Sequence, residues 1–163
     1  MLERVSVAAS VLLYAFSASA QTKISGSLKC DKPEVTHVVQ VGDRQNHALV
    51  LTQGKCTWTT AIEMEGVQTK DDVGTGISDV RGSNSQDRGY DVTTMSNGDK
   101  LFVRNQGTSK VKGEILESGE GKWSFTGGTG KFKNIKGGGT FKLKGNPDGS
   151  AVVDIEGDYT IGK

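Results

Sequence analysis

Cysteine, proline and histidine occur only twice each in these 163 residues, aromatic side chains make up 6%, and neither charge sign dominates, the formal net charge being +1. Each scarcity excludes something. Neither Cys30 nor Cys56 has a histidine or a second cysteine at ligand spacing, so the usual structural zinc arrangements are absent. Two histidines among scattered serines, with no GxSxG elbow, do not establish a nucleophilic triad. A nearly neutral chain with both signs interspersed lacks the basic stripe that holds nucleic acid. In the run GGTGKFK, Lys131 is followed by Phe132 where a phosphate-binding loop needs Ser or Thr, and Asp71-Asp72 lacks the acidic spacing of a calcium loop. These motifs therefore assign no catalytic residue, no metal site and no cofactor.

What the chain does contain begins with Met1 to Ala20. Val5 to Phe16 is an apolar run broken only by Ser10, and Ala18-Ser19-Ala20 has the small-x-small form that precedes signal cleavage, here between Ala20 and Gln21. Glu3 cancels Arg4, leaving mainly the α-amino group as the positive end. The run is too short for a bilayer core of about 30 Å. The expectation is a cleavable signal helix over 1–20, export to the periplasm or the extracellular space, and no stable membrane span afterwards. Oxidising surroundings then predict a disulfide between Cys30 and Cys56, closing a loop of about 25 residues worth on the order of 3 kcal/mol.

Beyond the signal, glycine, at 23 residues, punctuates short alternating segments and no helix-period segment occurs. Ile24, Gly26, Leu28 and Cys30 share one face of an opening strand. Val35, His37, Val39 and Val41 share one face of the next, and Cys56, Trp58, Thr60, Ile62 and Met64 share a third. Between Val67 and Asp91 the alternation fades, predicting a long solvated connection with at most a short edge strand at Val73 and Ile77. Tyr90, Val92 and Thr94 then oppose Asp91, Thr93 and Met95. Asn97-Gly98 predicts a type I′ hairpin into Lys100 to Gln106, where Leu101, Val103 and Asn105 alternate with Phe102, Arg104 and Gln106. A further strand is read over Ser109 to Glu117, followed by a turn at Ser118 to Gly121. The closing strand alternates most cleanly, with Val153, Ile155, Gly157, Tyr159 and Ile161 on one side. Meandering strands without helices predict an all-β chain, a single antiparallel barrel of about eight strands over 21–163, because closure hides sheet edges. A barrel of that size either fills its interior with side chains or holds one small ligand. The expected lining residues are His37, Trp58, Tyr90, Phe102 and Arg104.

The organising stretch is Trp123 to Phe141, in which two alternating strands flank a glycine-rich corner with two apolar residues, Phe132 and Ile135, placed to plug a barrel end. Phe125-Thr126-Gly127-Gly128-Thr129-Gly130-Lys131-Phe132, followed by Gly137-Gly138-Gly139-Thr140-Phe141, resembles the signature corner of the allene oxide cyclase and dirigent-like barrels, with Gly127, Gly128, Gly130 and Phe132 as its markers. The chain from Gln21 onward also resembles a group of small exported bacterial proteins without assigned chemistry, through GVQTK at 66–70, DRGY at 87–90 and NGDK at 97–100. The first resemblance implies an eight-stranded barrel with an apolar cavity, often assembled as trimers, whose members guide ring closure or radical coupling of hydrophobic substrates. None of their catalytic carboxylates maps onto this sequence. The reading is an exported, non-catalytic barrel that binds a small hydrophobic molecule or serves as an envelope accessory protein. Alternatives are a cyclase or isomerase acting in the barrel cavity, and a structural protein using its outer surface.

Overall fold

The computed structural model describes residues 21–113 and 115–162. Ten strands follow one another as β1 (Thr22–Cys30), β2 (Val35–Gln40), β3 (His47–Thr60), β4 (Glu63–Met64), β5 (Val67–Arg81), β6 (Asn84–Met95), β7 (Lys100–Lys112), β8 (Ile115–Gly128), β9 (Ile135–Gly145) and β10 (Ala151–Ile161), with a single 3-10 turn at Gly130–Phe132. Eight of them close into an antiparallel barrel in the order β1-β3-β5-β6-β7-β8-β9-β10, with β10 returning to β1. The eight-stranded all-β expectation holds, while the segment expected to be a signal lies outside the described residues.

Near Pro33 the chain leaves β1 and resumes as β2 along the same edge of β3. β1 meets Cys56–Thr60, and β2 meets Ala48–Gln53. This is one edge broken in two, as a residue that cannot donate a ladder hydrogen bond requires. The seam between β1 and β3 is short, running only over Ser27–Cys30, and the Cys30–Cys56 disulfide lies at its end.

One end of the barrel is filled. Phe132 is fully buried with Ile135, Met64, Met95, Leu101 and Tyr159 around it, and Ile24, Ile62, Val67 and Trp123 complete the cluster. The corner works as its sequence predicts. Gly130 takes a left-handed φ of 52°, and Gly128 lies so close to the Lys100 and Phe132 carbonyl oxygens that a Cβ there would stand 2.7 and 2.8 Å from them. Only Phe132 belongs to the short turn; Ile135 already opens β9.

Three expectations are corrected. Val67 to Asp91 is no solvated connection but most of two long strands, β5 and β6, paired from Thr69↔Met95 to Arg81↔Asn84. Ser118 to Gly121 is not a turn: it lies inside β8, and the chain reverses earlier, at Gly113, whose φ is 63°. The Asn97-Gly98 hairpin exists, but only Gly98 has positive φ, at 87°, so it is not type I′. The amide of Gly98 donates to the Met95 carbonyl and that of Met95 to the Asp99 carbonyl, the pattern of a type I turn closed by a left-handed glycine.

Replacing both Cys30 and Cys56 by alanine is expected to lower unfolding free energy by about 2–4 kcal/mol in chemical denaturation. Hydrogen exchange should accelerate first in Ser27–Cys30 and Cys56–Thr60. Uniform acceleration across the barrel would show that the seam is not its weakest join.

Candidate functional site

Above the filled end the barrel is hollow. A chamber of about 330 Å³ is bounded by Trp58, Trp123, Phe125, Phe141, Leu143 and Ile155 on its apolar side. β5 and β6 contribute Asp72, Asp91 and Thr93, and β7 contributes Asn105, the ladder partner of Trp123. Trp123 and Phe125 meet edge to face with ring centroids 5.0 Å apart, and the Trp123 indole N–H donates to the Thr140 carbonyl at 3.1 Å. The Trp58 indole nitrogen is buried with no hydrogen-bond partner among the described residues.

The polar wall depends on glycine. In the β5–β6 ladder Gly74 stands opposite Asp91, and in the β6–β7 ladder Gly89 stands opposite Asn105. A Cβ on Gly74 would lie 2.9 Å from Asp91 Oδ1, and one on Gly89 would lie 3.1 Å from Asn105 Oδ1. The absent side chains leave room for the polar ones. Asn105 Nδ2 donates to Asp91 Oδ2 at 2.6 Å, and the Thr93 hydroxyl donates to Asp72 Oδ2 at 2.5 Å. Burial pushes the Asp91 carboxyl up to about 7, with the nearby Asp72 charge adding to it and the Asn105 hydrogen bond opposing. Burial also raises Asp72, against the hydrogen bond from Thr93. Around neutral pH Asp91 therefore holds a dissociable proton in a largely apolar room. Among the described residues, no three His, Cys, Asp or Glu side chains converge as a metal site does.

Of the five residues expected to line a cavity, the structure places Trp58 on the wall and the other four outside it. Tyr90 is 64% exposed, and Phe102, Arg104 and His37 are also exposed. The ladders set Tyr90 beside Arg104, Val92 beside Phe102 and His37 beside Leu51, all on the outer face. Choosing the aromatic side of β6 and β7 inverted both strands: the inward sets are Asp91, Thr93 and Met95 on β6, and Leu101, Val103 and Asn105 on β7. The usual rule fails because the outer face carries its own apolar band, in which Val39, Leu49, Leu51, Val73 and Tyr90 are exposed. His47, the first residue of β3, is buried. Its Nδ1 meets Asp43, and its Nε2 lies 3.0 Å from Asp79 Oδ1. The His47 contact lowers the Asp43 carboxyl, while Arg81 does most to lower Asp79. This cluster ties the start of β3 to β5 and lies outside the chamber lining.

No protein-family model and no curated protein sequence matches the chain. Solved structures do match in fold. The pterocarpan synthase dirigent protein GePTS1 aligns at TM-score 0.51 and 14% identity, over 94% of this chain and 97% of its own. The pterocarpan synthase dirigent protein PsPTS1 aligns at 0.51 and 16%, over 91% and 99%. A protein of unknown function from Clostridium acetobutylicum ATCC 824 aligns at 0.50 and 11%, over 88% and 98%. The barrel is thus of the dirigent-like kind, and at these identities the likeness is one of fold alone.

The raised Asp91 carboxyl has a stability consequence of definite sign. Between its unfolded value near 3.8 and its folded value near 7, the folded state binds more protons than the unfolded one, so this group's contribution falls as pH rises across that window. Asp91→Asn is therefore expected to stabilise the fold above about pH 7, by up to about 4 kcal/mol, with the gain fading towards pH 4. Thermal melts of both proteins across this range check it. An equal difference at every pH would contradict it.

Proposed function

We propose that this is an exported, non-catalytic barrel that carries one small, mainly apolar molecule in its chamber. The observation that supports this best is the hollow itself: about 330 Å³ bounded by four aromatic rings and aliphatic side chains, with polar groups gathered on one wall. Binding sites for small molecules have this composition, apolar for affinity with a few placed polar groups for orientation. A disulfide across the seam is consistent with an oxidising compartment. Among the described residues no helix is long and apolar enough to cross a membrane.

Native mass spectrometry of protein purified gently from its own host tests the reading. The expected result is a reproducible bound mass that is lost in Gly76→Leu. Gly76 faces the chamber, and a Cβ there would make only ordinary contacts, at 3.6 Å and beyond. The larger side chain should therefore occupy the hollow with the barrel intact by circular dichroism. No bound mass from the unsubstituted protein, or an undiminished one in the variant, would remove the reading.

The Asp91 carboxyl favours a second reading, an isomerase or cyclase, because a buried acid near 7 held by Asn105 is suited to proton transfer at neutral pH. Two of the fold neighbours are named as pterocarpan synthases, so a barrel of this shape is compatible with catalysis. Incubating the recovered molecule with protein in deuterated water separates the readings. A catalyst exchanges carbon-bound hydrogen or changes the molecule's mass, and loses this in Asp91→Asn. A carrier returns the carbon-bound hydrogens unchanged.

A further inference from the structure

The chamber wall is predominantly acidic, Arg88, an exposed residue, being the one basic residue among the described residues that borders it. Asp72 and Asp91 point inward, Asp87 lies further along the same face of β6, and Asp31 sits where the chain leaves β1. The basic side chains nearest in sequence are directed elsewhere. Arg104 stands beside Tyr90 on the outer face, Lys55 reaches Glu34 at 2.8 Å, and Arg88 lies next to Ile77 and Gln106 on the outer ladder positions. Asp87 is met by the Ser85 hydroxyl at 2.7 Å, and Asp91 by a neutral amide. Among the described residues no Lys, Arg or His forms a salt bridge with Asp72, Asp87 or Asp91, although Lys55 acts on Asp31.

Asp72 makes the imbalance specific. Its side chain is one of the few buried charged groups of the protein, with 6% exposure, and Thr93 occupies only Oδ2; Oδ1 accepts no hydrogen bond from any described side chain. A carboxylate so far from water needs a counter-charge or is driven towards taking up a proton, and burial raises both carboxyls accordingly. The chamber is also lined by Trp58, Trp123, Phe125 and Phe141, aromatic side chains whose ring faces attract a positive group and whose bodies suit an apolar one. Among the described residues no three His, Cys, Asp or Glu side chains converge as a metal site does, and the aromatic lining suits an organic cation.

We propose that the chamber selects a cationic guest, an organic amine with an apolar body of about two fused rings, whose ammonium group sits on Asp72 and Asp91 while its body lies against the aromatic wall. The inference rests on the ligand-carrying reading above. Binding draws the carboxyls into their charged form and so releases protons as the guest enters. No group of opposite sign competes from β3, where Gly54, Cys56 and Trp58 face inward, or from β7, where Val103 and Asn105 do.

Calorimetric titration with three probes of one size tests this: 1-naphthylmethylamine, 1-naphthylmethanol and 1-naphthoate. At about pH 8 the amine should bind at least about tenfold more tightly than the alcohol, with the carboxylate weakest, and the amine's advantage should shrink towards about pH 5.5 as the carboxyls protonate. In the double variant Asp72→Asn, Asp91→Asn the advantage should vanish while the alcohol still binds. The pH series needs no substitution and decides the matter if the double variant does not fold. Alcohol or naphthoate binding as tightly as the amine overturns the cationic class and leaves the carrier reading in place. An amine preference that survives the double variant overturns the assignment to these two aspartates. Binding of none of the three removes both readings.

Discussion

The barrel is a barrel only because β1 reaches β3. Every other neighbouring pair is joined by a long ladder, whereas this seam spans Ser27–Cys30 and gives way at Pro33, where the edge of β3 passes to β2. The Cys30–Cys56 bond fixes the seam at the point where pairing ends. Both cysteines also face the chamber, so the bond that holds the ring shut is part of its wall. A sheet left open here would expose the inner faces of β1 and β3, and the polar wall of β5 and β6 would no longer be shielded from water.

That shielding gives the aspartates their character. In water Asp91 would be an ordinary carboxylate; inside the barrel it competes for charge with Asp72 and with the cost of leaving solvent. The wall bearing them is built from residues that look unremarkable in the chain. Asp72, Gly74, Gly76 and Ser78 are the inward positions of β5, and Asp87, Gly89, Asp91 and Thr93 those of β6. Small residues leave volume, and Asp91 and Asn105 each occupy the space left by a glycine on the neighbouring strand.

The same composition explains what could be read beforehand and what could not. Strands whose inward face is apolar announce themselves: β1 through Ile24 and Leu28, β10 through Val153, Ile155 and Tyr159, the corner through Phe132 and Ile135, and β3 through Trp58. β5 and β6 do not, because their inner face borders a cavity and alternates glycine with polar residues. The period-2 signal depends on an apolar buried face, and here it is weakened on the buried side and reinforced on the wrong one by Tyr90, Phe102 and their neighbours outside. The stretch whose alternation fades therefore holds the buried carboxyls Asp72 and Asp91. Its one available clue was the fixed hairpin at Asn97-Gly98: carrying its register back through Leu101↔Thr93 and Val103↔Asp91 links the acidic residue to the apolar positions that prove to lie inside.

The glycine-lined wall also bears on how such a chamber diversifies. Gly74 and Gly89 are committed, since a methyl on either would press on Asp91 or Asn105, but Gly54 and Gly76 meet nothing closer than 3.4 Å. At these two positions a single-codon change to alanine would trim the hollow by about one methyl group while sparing the hydrogen-bond ladder and the carboxyl pair. Descendants of this barrel therefore have two positions that can change the size of the hollow without touching its buried carboxyls, so the shape and the charge of the chamber are free to drift apart under selection.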